Sequence, residues 1–215
     1  MRHEERLAAF QAADLYVVIT TAFCAGRTAL AVLEQTLAAG VKLVQMREKE
    51  LGGRALYELA REFRQRTAAA GALLVIDDRL DIALAAAADG VHLGQEDLPV
   101  DAARSVAPDL IIGASTHSLE EALAAQAAGA SYANIGPVFA TQTKPRAIPL
   151  GPEILSRIAP HLKIPWTTMG GITAANIGQV VAQGAKHPAV MSAVTAAADP
   201  QTAAAQLRQA ILAQR

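Results

Sequence analysis

Four short stretches of this chain carry side chains suited to holding anions and a metal: Gln45-Met46-Arg47-Glu48-Lys49, Asp77-Asp78, Gln95-Glu96-Asp97 and Thr141-Gln142-Thr143-Lys144. Arginine and lysine donate to and neutralise phosphate oxygens. Carboxylates offer hard oxygens to a divalent cation. Gln45, Arg47 and Lys49 stand at spacing two behind the largely apolar Val41-Lys42-Leu43-Val44, so on a strand they point the same way. A solvated edge strand would also alternate polar and apolar residues, but the apolar stretch before Arg47 and the helical pattern after it mark the end of a buried strand. All four stretches sit near the C-terminal ends of segments that read as strands, an arrangement suited to phosphate chemistry at one mouth of a barrel.

The elements that must position them alternate along the chain. Short β-branched or apolar runs predict strands over 15–19, 41–46, 73–76, 91–93, 110–113, 132–136, 164–169 and 189–192. Between them, Ala-rich patterns predict helices over 28–39, 53–70, 80–88, 100–106 and 152–158, one starting near Thr173, and a terminal one over 200–213. Ser118-Leu119-Glu120-Glu121 opens a further helix with a capping-box pattern. Eight such units without a long linker predict an α/β protein, a single-domain (β/α)8 TIM barrel over residues 1–215, with 1–14 as an N-terminal helical extension. The rival is an open doubly wound sheet. Its dinucleotide version would carry GxGxxG after the first strand, where this chain has Thr20-Thr21-Ala22-Phe23-Cys24-Ala25-Gly26.

Composition narrows the class. A chain of 215 residues, about half of them apolar, supports one well-buried core. A formal net charge of -1 gives no global field for nucleic acid or an anionic membrane, so any anion site must be local. Cys24 is the sole cysteine, which excludes an internal disulfide and fits a reducing compartment. The charged start Met1-Arg2-His3-Glu4-Glu5-Arg6 and the lack of a span-length apolar run indicate a soluble cytoplasmic protein with no membrane partner.

Two anion sites share the predicted mouth. Asp77-Asp78 and Asp97 follow neighbouring strands, and carboxylates meeting there, with positions left for water and phosphate oxygens, suit Mg2+ better than zinc. Asp78 and Asp81 salt-bridging around Arg79 is the plainer alternative. Gly170-Gly171-Ile172-Thr173 and Met191-Ser192-Ala193-Val194 follow the last two strands, where barrels often hold phosphate on backbone N–H groups. Two sites of this kind imply two substrates or one bisphosphate.

The chain resembles the thiamine-phosphate synthase family from about Leu15 to the terminal helix. The likeness is carried, in family order, by Gln45-x-Arg47-x-Lys49, Asp78-Arg79, Asp89-Gly90-Val91-His92-Leu93-Gly94-Gln95-Glu96-Asp97-Leu98-Pro99, Gly113-x-Ser115-x-His117, Gly136-Pro137-Val138-Phe139, Thr141-x-Thr143-Lys144, Gly170-Gly171-Ile172 and Ser192-Ala193-Val194. The resemblance implies coupling of a hydroxymethylpyrimidine diphosphate to a hydroxyethylthiazole phosphate, giving thiamine phosphate and pyrophosphate. It implies a pyrimidine diphosphate site made of Gln45, Met46, Arg47, Glu48, Lys49, Asp77, Ser115 and Lys144, with Arg47, Lys49, Lys144 and Ser115 catalytic. The thiazole phosphate would lie on Thr141, Gln142, Thr143, Gly171, Met191 and Ser192, and Mg2+ on Asp78 and Asp97. The partners would be two small phosphorylated heterocycles, with no nucleic acid, in a monomer or a homodimer. The resemblance also implies that the electron-rich pyrimidine stabilises a developing carbocation, which the thiazole nitrogen attacks.

Asp77 stands where the family usually has Asn. Mg2+ and three cations against Asp78 and Asp97 leave about +3 to face a diphosphate of about -3, and an ionised Asp77 would cut that to about +2. Lys186-His187-Pro188-Ala189 replaces the usual acidic-glycine turn, a difference expected at the opposite mouth. His92, between apolar neighbours, reads as a core histidine with one hydrogen bond. His117 is more open, and in related thiazole tautomerases a histidine in this motif is thought to move protons, so a tautomerase is one alternative and a non-catalytic thiamine-pathway regulator another. A sugar-phosphate isomerase would not need the Gln-x-Arg-x-Lys clamp. A Schiff-base aldolase would need a lysine deep in a strand, where only Lys42 offers itself, four residues too early.

Overall fold

The computed structural model describes residues 1–143 and 146–214. Helix α1 (His3–Ala12) leads into β1 (Tyr16–Ile19), followed by α2 (Ala29–Ala38), β2 (Leu43–Met46), α3 (Gly53–Ala69), β3 (Leu73–Asp77), α4 (Leu80–Ala85), β4 (Gly90–Leu93) and α5 (Val100–Val106). Then come β5 (Ile111–Thr116), α6 (Leu119–Ala127), β6 (Tyr132–Ile135), α7 (Glu153–Ile158), β7 (Trp166–Thr168), α8 (Ile177–Ala182), β8 (Ala189–Val190), the single-turn α9 (Ser192–Thr195) and α10 (Pro200–Leu212). All pairings are parallel, in the order β7-β6-β5-β4-β3-β2-β1-β8. A bridge between Thr168 and Pro188 brings the two ends together. This is the expected (β/α)8 barrel.

The pleat sorts each strand into two layers. Val17, Ile19, Val44, Met46, Leu74, Ile76, Val91 and Leu93 face the helices and form the larger core. Tyr16, Leu43, Leu73, Val75, Ile111, Tyr132 and Ala189 face inward and form a second one. Gly113 makes room for this interior: a Cβ there would lie 2.1 Å from Cζ of Tyr132.

Several boundaries differ from the sequence reading for local reasons. Strand β5 runs on to Thr116, whereas β8 stops at Val190 because Ser192 enters α9. Helix α8 begins at Ile177 rather than Thr173, since residues 173–176 form a turn in which the Thr173 N–H donates to Asn176 Oδ1 at 2.7 Å. Ser118 caps α6 by accepting from the Glu121 N–H at 3.2 Å. Glu121 does not complete the expected box but reaches one residue further back, accepting from the His117 N–H at 2.7 Å.

The N-terminal segment closes the bottom of the barrel. Phe10 of α1 is fully buried, stacks on Tyr132 with ring centroids 4.6 Å apart, and tilts against His187 at 5.3 Å. His187 Nδ1 lies 2.8 Å from the Ala13 carbonyl, so the unusual Lys186-His187-Pro188 turn does sit at the mouth opposite the polar clusters. At the same end, Asp14 holds Arg208 of α10 through contacts of 2.9–3.0 Å. Among the described residues, no helix is long and apolar enough to cross a membrane.

Truncating this plug opens a cavity at the floor of the barrel. Phe10→Ala is expected to lower unfolding free energy by about 3–5 kcal/mol, as read by urea denaturation. A loss under about 1 kcal/mol would show that α1 is a dispensable extension.

Candidate active site

The C-terminal ends of the strands surround a cavity of about 450 Å³. Its wall includes Gln45, Arg47, Lys49, Asp77, Asp78, Asp97, Ser115, Thr141, Thr143, Gly171, Met191 and Ser192, so these sequence-predicted residues converge. Three others do not line it. Met46 is 1 % exposed and packs in the helix-facing core, because it stands one residue out of phase with Gln45 and Arg47. Glu48 turns away to β1's loop, accepting from the Thr21 N–H at 2.7 Å and the Thr21 hydroxyl at 2.6 Å. Gln142 is exposed and outside the lining. Lys144 lies outside the described residues.

Charge concentrates on the β2–β3–β4 side. Lys49 donates to Asp78 through a very short contact, while its Nζ lies 2.9 Å from Asp77 Oδ2 as an ion pair not directed as a hydrogen bond. Arg47 Nε is 3.4 Å from the same oxygen. Burial and the neighbouring Asp78 charge push the Asp77 carboxyl above its ordinary range, against the pull of Lys49 and Arg47. Burial alone would also raise Asp78, but hydrogen bonds from Lys49 and Asp97 outweigh it and hold Asp78 below the ordinary range. Asp97 is raised by burial and by its hydrogen bond to Asp78, although the Gly94 N–H donates to it at 2.6 Å. Lys49 loses stability of its charge to burial, yet the two aspartates more than restore it.

The backbone sets up this meeting of carboxylates. Asp78 has φ 59, a left-handed conformation that aspartate tolerates better than most residues. The Asp78 N–H donates to the His92 carbonyl at 2.8 Å, which joins β3's loop to β4. Asp78 and Asp97 both line the cavity, where their hard carboxylate oxygens could share a cation with positions left open. Among the described residues, no cluster of three or more His, Cys, Asp or Glu closes a metal cage.

The opposite wall is nearly neutral. Gly170 and Gly171 take φ values of 103 and 62 and run against the loop after β6. The Val138 N–H donates to the Met169 carbonyl at 2.9 Å and the Phe139 N–H to the Gly170 carbonyl at 3.1 Å. A Cβ on Gly171 would stand 2.3 Å from the Ala140 carbonyl oxygen. Thr141 and Thr143 hydroxyls are 2.9 Å apart at the rim. At α9 the Val194 and Thr195 N–H groups both donate to the Met191 carbonyl at 2.9 Å, which turns the chain at Met191 and Ser192 on the cavity wall.

The sequence reading left out several residues of the wall, including His92, Asn134 and Pro137. Among the described residues His92 makes two hydrogen bonds rather than one, with the Tyr132 hydroxyl at Nδ1 and the Ser115 hydroxyl at Nε2, both 2.9 Å. Strand phase could have signalled it, because His92 is paired in register with Asp77 and Gly113. His117 lines the cavity with Nδ1 2.9 Å from Glu121.

Comparison with known proteins gives a consistent picture. Residues 15–194 match the family model described as thiamine monophosphate synthase. A thiamine-phosphate synthase of Moorella thermoacetica is 46% identical over 200 residues, covering 92% of this chain and 95% of that protein. One from Methanoculleus marisnigri is 45% identical over 202 residues, covering 93% and 96%. A solved thiamine phosphate pyrophosphorylase from Pyrococcus furiosus superimposes with a TM-score of 0.89 at 39% identity, covering 96% of this chain and 98% of that one.

The Gly170-Gly171 turn should tolerate no side chain. Gly171→Ala combines a left-handed residue with a clash against Ala140, and is expected to cost about 2–5 kcal/mol of unfolding free energy by chemical denaturation. A loss below about 1 kcal/mol would mean that the turn adapts freely.

Proposed function

The chain belongs to the thiamine monophosphate synthase family, and from that membership we propose how its barrel mouth divides the work of the reaction. The activity is that of a transferase: 4-amino-2-methyl-5-hydroxymethylpyrimidine diphosphate and 4-methyl-5-hydroxyethylthiazole phosphate condense to thiamine phosphate and pyrophosphate. The assignment of roles is carried by one observation. The Gln45, Arg47 and Lys49 row, the Asp78–Asp97 pair and the Gly171–Ser192 wall open onto a single cavity.

Arg47 and Lys49, with Lys144, bind the diphosphate and neutralise the charge that grows on it as the bond to the pyrimidine methylene breaks. They act as electrostatic groups, since no covalent bond to the protein is needed. Gln45 and Ser115 hold the pyrimidine ring. Thr141, Thr143, Gly171, Met191 and Ser192 hold the thiazole phosphate and aim the ring nitrogen at the methylene carbon, so that attack follows departure without diffusion. Mg2+ on Asp78 and Asp97 would supply further neutralisation of the leaving pyrophosphate. The fit is supported by the chemistry of the pair: two carboxyls on the wall of one cavity, one lowered and one raised, with hard oxygens only.

Asp77 is a counter-charge to Arg47 and Lys49 rather than a ligand of substrate. It holds both cations in place but subtracts from the positive field, by an amount reduced by its raised proton affinity. The tautomerase and regulator alternatives are not favoured, because the relatives are thiamine-phosphate synthases matched over most of their length. A cytoplasmic location is our reading from the sole thiol, Cys24, which is buried and pushed up to about 11 by burial and by the Glu48 charge.

Purified protein mixed with both substrates should release pyrophosphate and form thiamine phosphate in equal amounts with Mg2+ present, and lose both on chelation. Turnover unaffected by chelator would remove the metal from the scheme. Asp77→Asn is expected to keep or improve activity toward the pyrimidine diphosphate. A fall of more than about tenfold in kcat/KM, near 1.4 kcal/mol, would make Asp77 a required group.

A further inference from the structure

We propose that Tyr16, Tyr132 and His92 form a one-way hydrogen-bond relay through the barrel interior that locks Gln45 and Ser115 in opposite senses, so that one accepts while the other donates. The contacts are continuous. Gln45 Nε2 lies 2.8 Å from the Tyr16 hydroxyl, which lies 3.1 Å from the Tyr132 hydroxyl. That hydroxyl is 2.9 Å from His92 Nδ1, and His92 Nε2 is 2.9 Å from Ser115 Oγ. Gln45, Tyr16, Tyr132 and His92 are all at most 3 % exposed, while Gln45 and Ser115 both line the cavity.

The direction follows from counting protons. Each phenol has one proton, and burial keeps both phenols neutral by raising them far above the ordinary range. A neutral imidazole has one N–H and one lone pair. With Gln45 donating to Tyr16, the Tyr16 proton goes to Tyr132, the Tyr132 proton goes to His92 Nδ1, and His92 Nε2–H donates to Ser115. The Gln45 carbonyl is then left as the acceptor toward the cavity, and the Ser115 hydroxyl proton is left as the donor. Reversing one end requires the amide to flip, both phenols to rotate and the imidazole to change tautomer together. Turning one phenol alone would set two protons or two lone pairs against each other across the Gln45–Tyr16 or Tyr16–Tyr132 contact. The missing Cβ of Gly113, which would otherwise meet the Tyr132 hydroxyl at 2.3 Å, keeps the passage open for the middle of the relay.

The ligand selected is a ring with a donor beside an acceptor. Resting on the reading that Gln45 and Ser115 hold the pyrimidine, the relay matches a 4-aminopyrimidine, whose exocyclic NH2 donates and whose adjacent ring nitrogen accepts. The 4-oxo counterpart presents the inverse, a carbonyl acceptor beside a ring N–H. Tyr16, Tyr132 and His92 are thus positioning residues that reach substrate through Gln45 and Ser115.

The test is binding of 4-amino and 4-oxo pyrimidine diphosphates to the full-length protein with Mg2+, by calorimetry and without the thiazole phosphate, so that reactivity does not enter. The wild type should prefer the amino form by at least about thirtyfold. Tyr132→Phe keeps the ring stacked on Phe10 but cuts the relay, letting each end turn alone, and should narrow the preference to within about fivefold. The KM for thiazole phosphate should stay within about twofold, which a general loosening of the barrel would not allow. Tyr16→Phe cuts a different link, should give the same result, and decides the matter if Tyr132→Phe does not fold. A wild type that does not discriminate, or a preference unchanged in a folded variant, overturns the relay. If the wild type makes no thiamine phosphate, the functional reading fails and the selecting role fails with it. Normal turnover with unmoved ratios removes the relay alone.

Discussion

In a closed parallel barrel the two-residue pleat leaves each strand one set of side chains for the interior, and the site is what that set becomes at the strands' C-terminal ends. On β2 the inward residues run from apolar to polar, from Leu43 to Gln45 and then to Arg47 and Lys49 beyond the strand. On β3 they run from Leu73 and Val75 to Asp77. The cations and carboxylates therefore stand on neighbouring strands above an apolar floor. Closure matters as much as the pleat, because the Thr168–Pro188 bridge joins the sheet's two ends and the Gly170-Gly171 turn then lines the same cavity as Arg47.

The same constraint explains what could be read from the residues alone. Gln45, Arg47 and Lys49 were legible because their spacing equals the strand period. Met46 and Glu48 were drawn in with them as contiguous residues, and the pleat sends Met46 into the helix-facing core while Glu48 meets Thr21 in another loop. The convergence of Asp78 and Asp97 on one cavity was legible because both follow adjacent strands. For His92 only the strand phase was legible, since its partners Tyr132 and Ser115 stand 40 and 23 positions away, and an apolar neighbourhood looks the same around any buried histidine. Phe10 was equally hidden: α1 buries only that one side chain, so no stripe announces what it covers.

A buried polar network is costly unless every member is satisfied. The interior here accepts that cost between an apolar floor and a charged mouth, where two phenols, an imidazole and an amide fill space that Leu or Val would fill more cheaply. Tyr132 belongs to both levels. Its ring stacks on Phe10 and on His92, with centroids 4.6 Å and 5.7 Å away, while its hydroxyl joins Tyr16 to His92. Packing at the bottom thus fixes the position of a hydroxyl that serves the top.

Rigidity of this kind suits a reaction whose reactive carbon must be exposed to one nucleophile and shielded from another. Charge on the leaving group can be neutralised by flexible side chains, and Lys49, which is 42% exposed and shared between Asp77 and Asp78, has that freedom. Orientation of the ring cannot be left to such groups, because the thiazole nitrogen must find the methylene carbon before water does. On the proposed roles, the barrel assigns the two tasks to different materials: cations near the rim for the diphosphate, and a buried, mutually constrained set of neutral groups for the heterocycle. Asp77 stands where these meet, its carboxylate against Lys49 and Arg47 and its strand paired with that of His92. A change there acts on the electrostatic half of the site while the interior that aims the ring stays as it is.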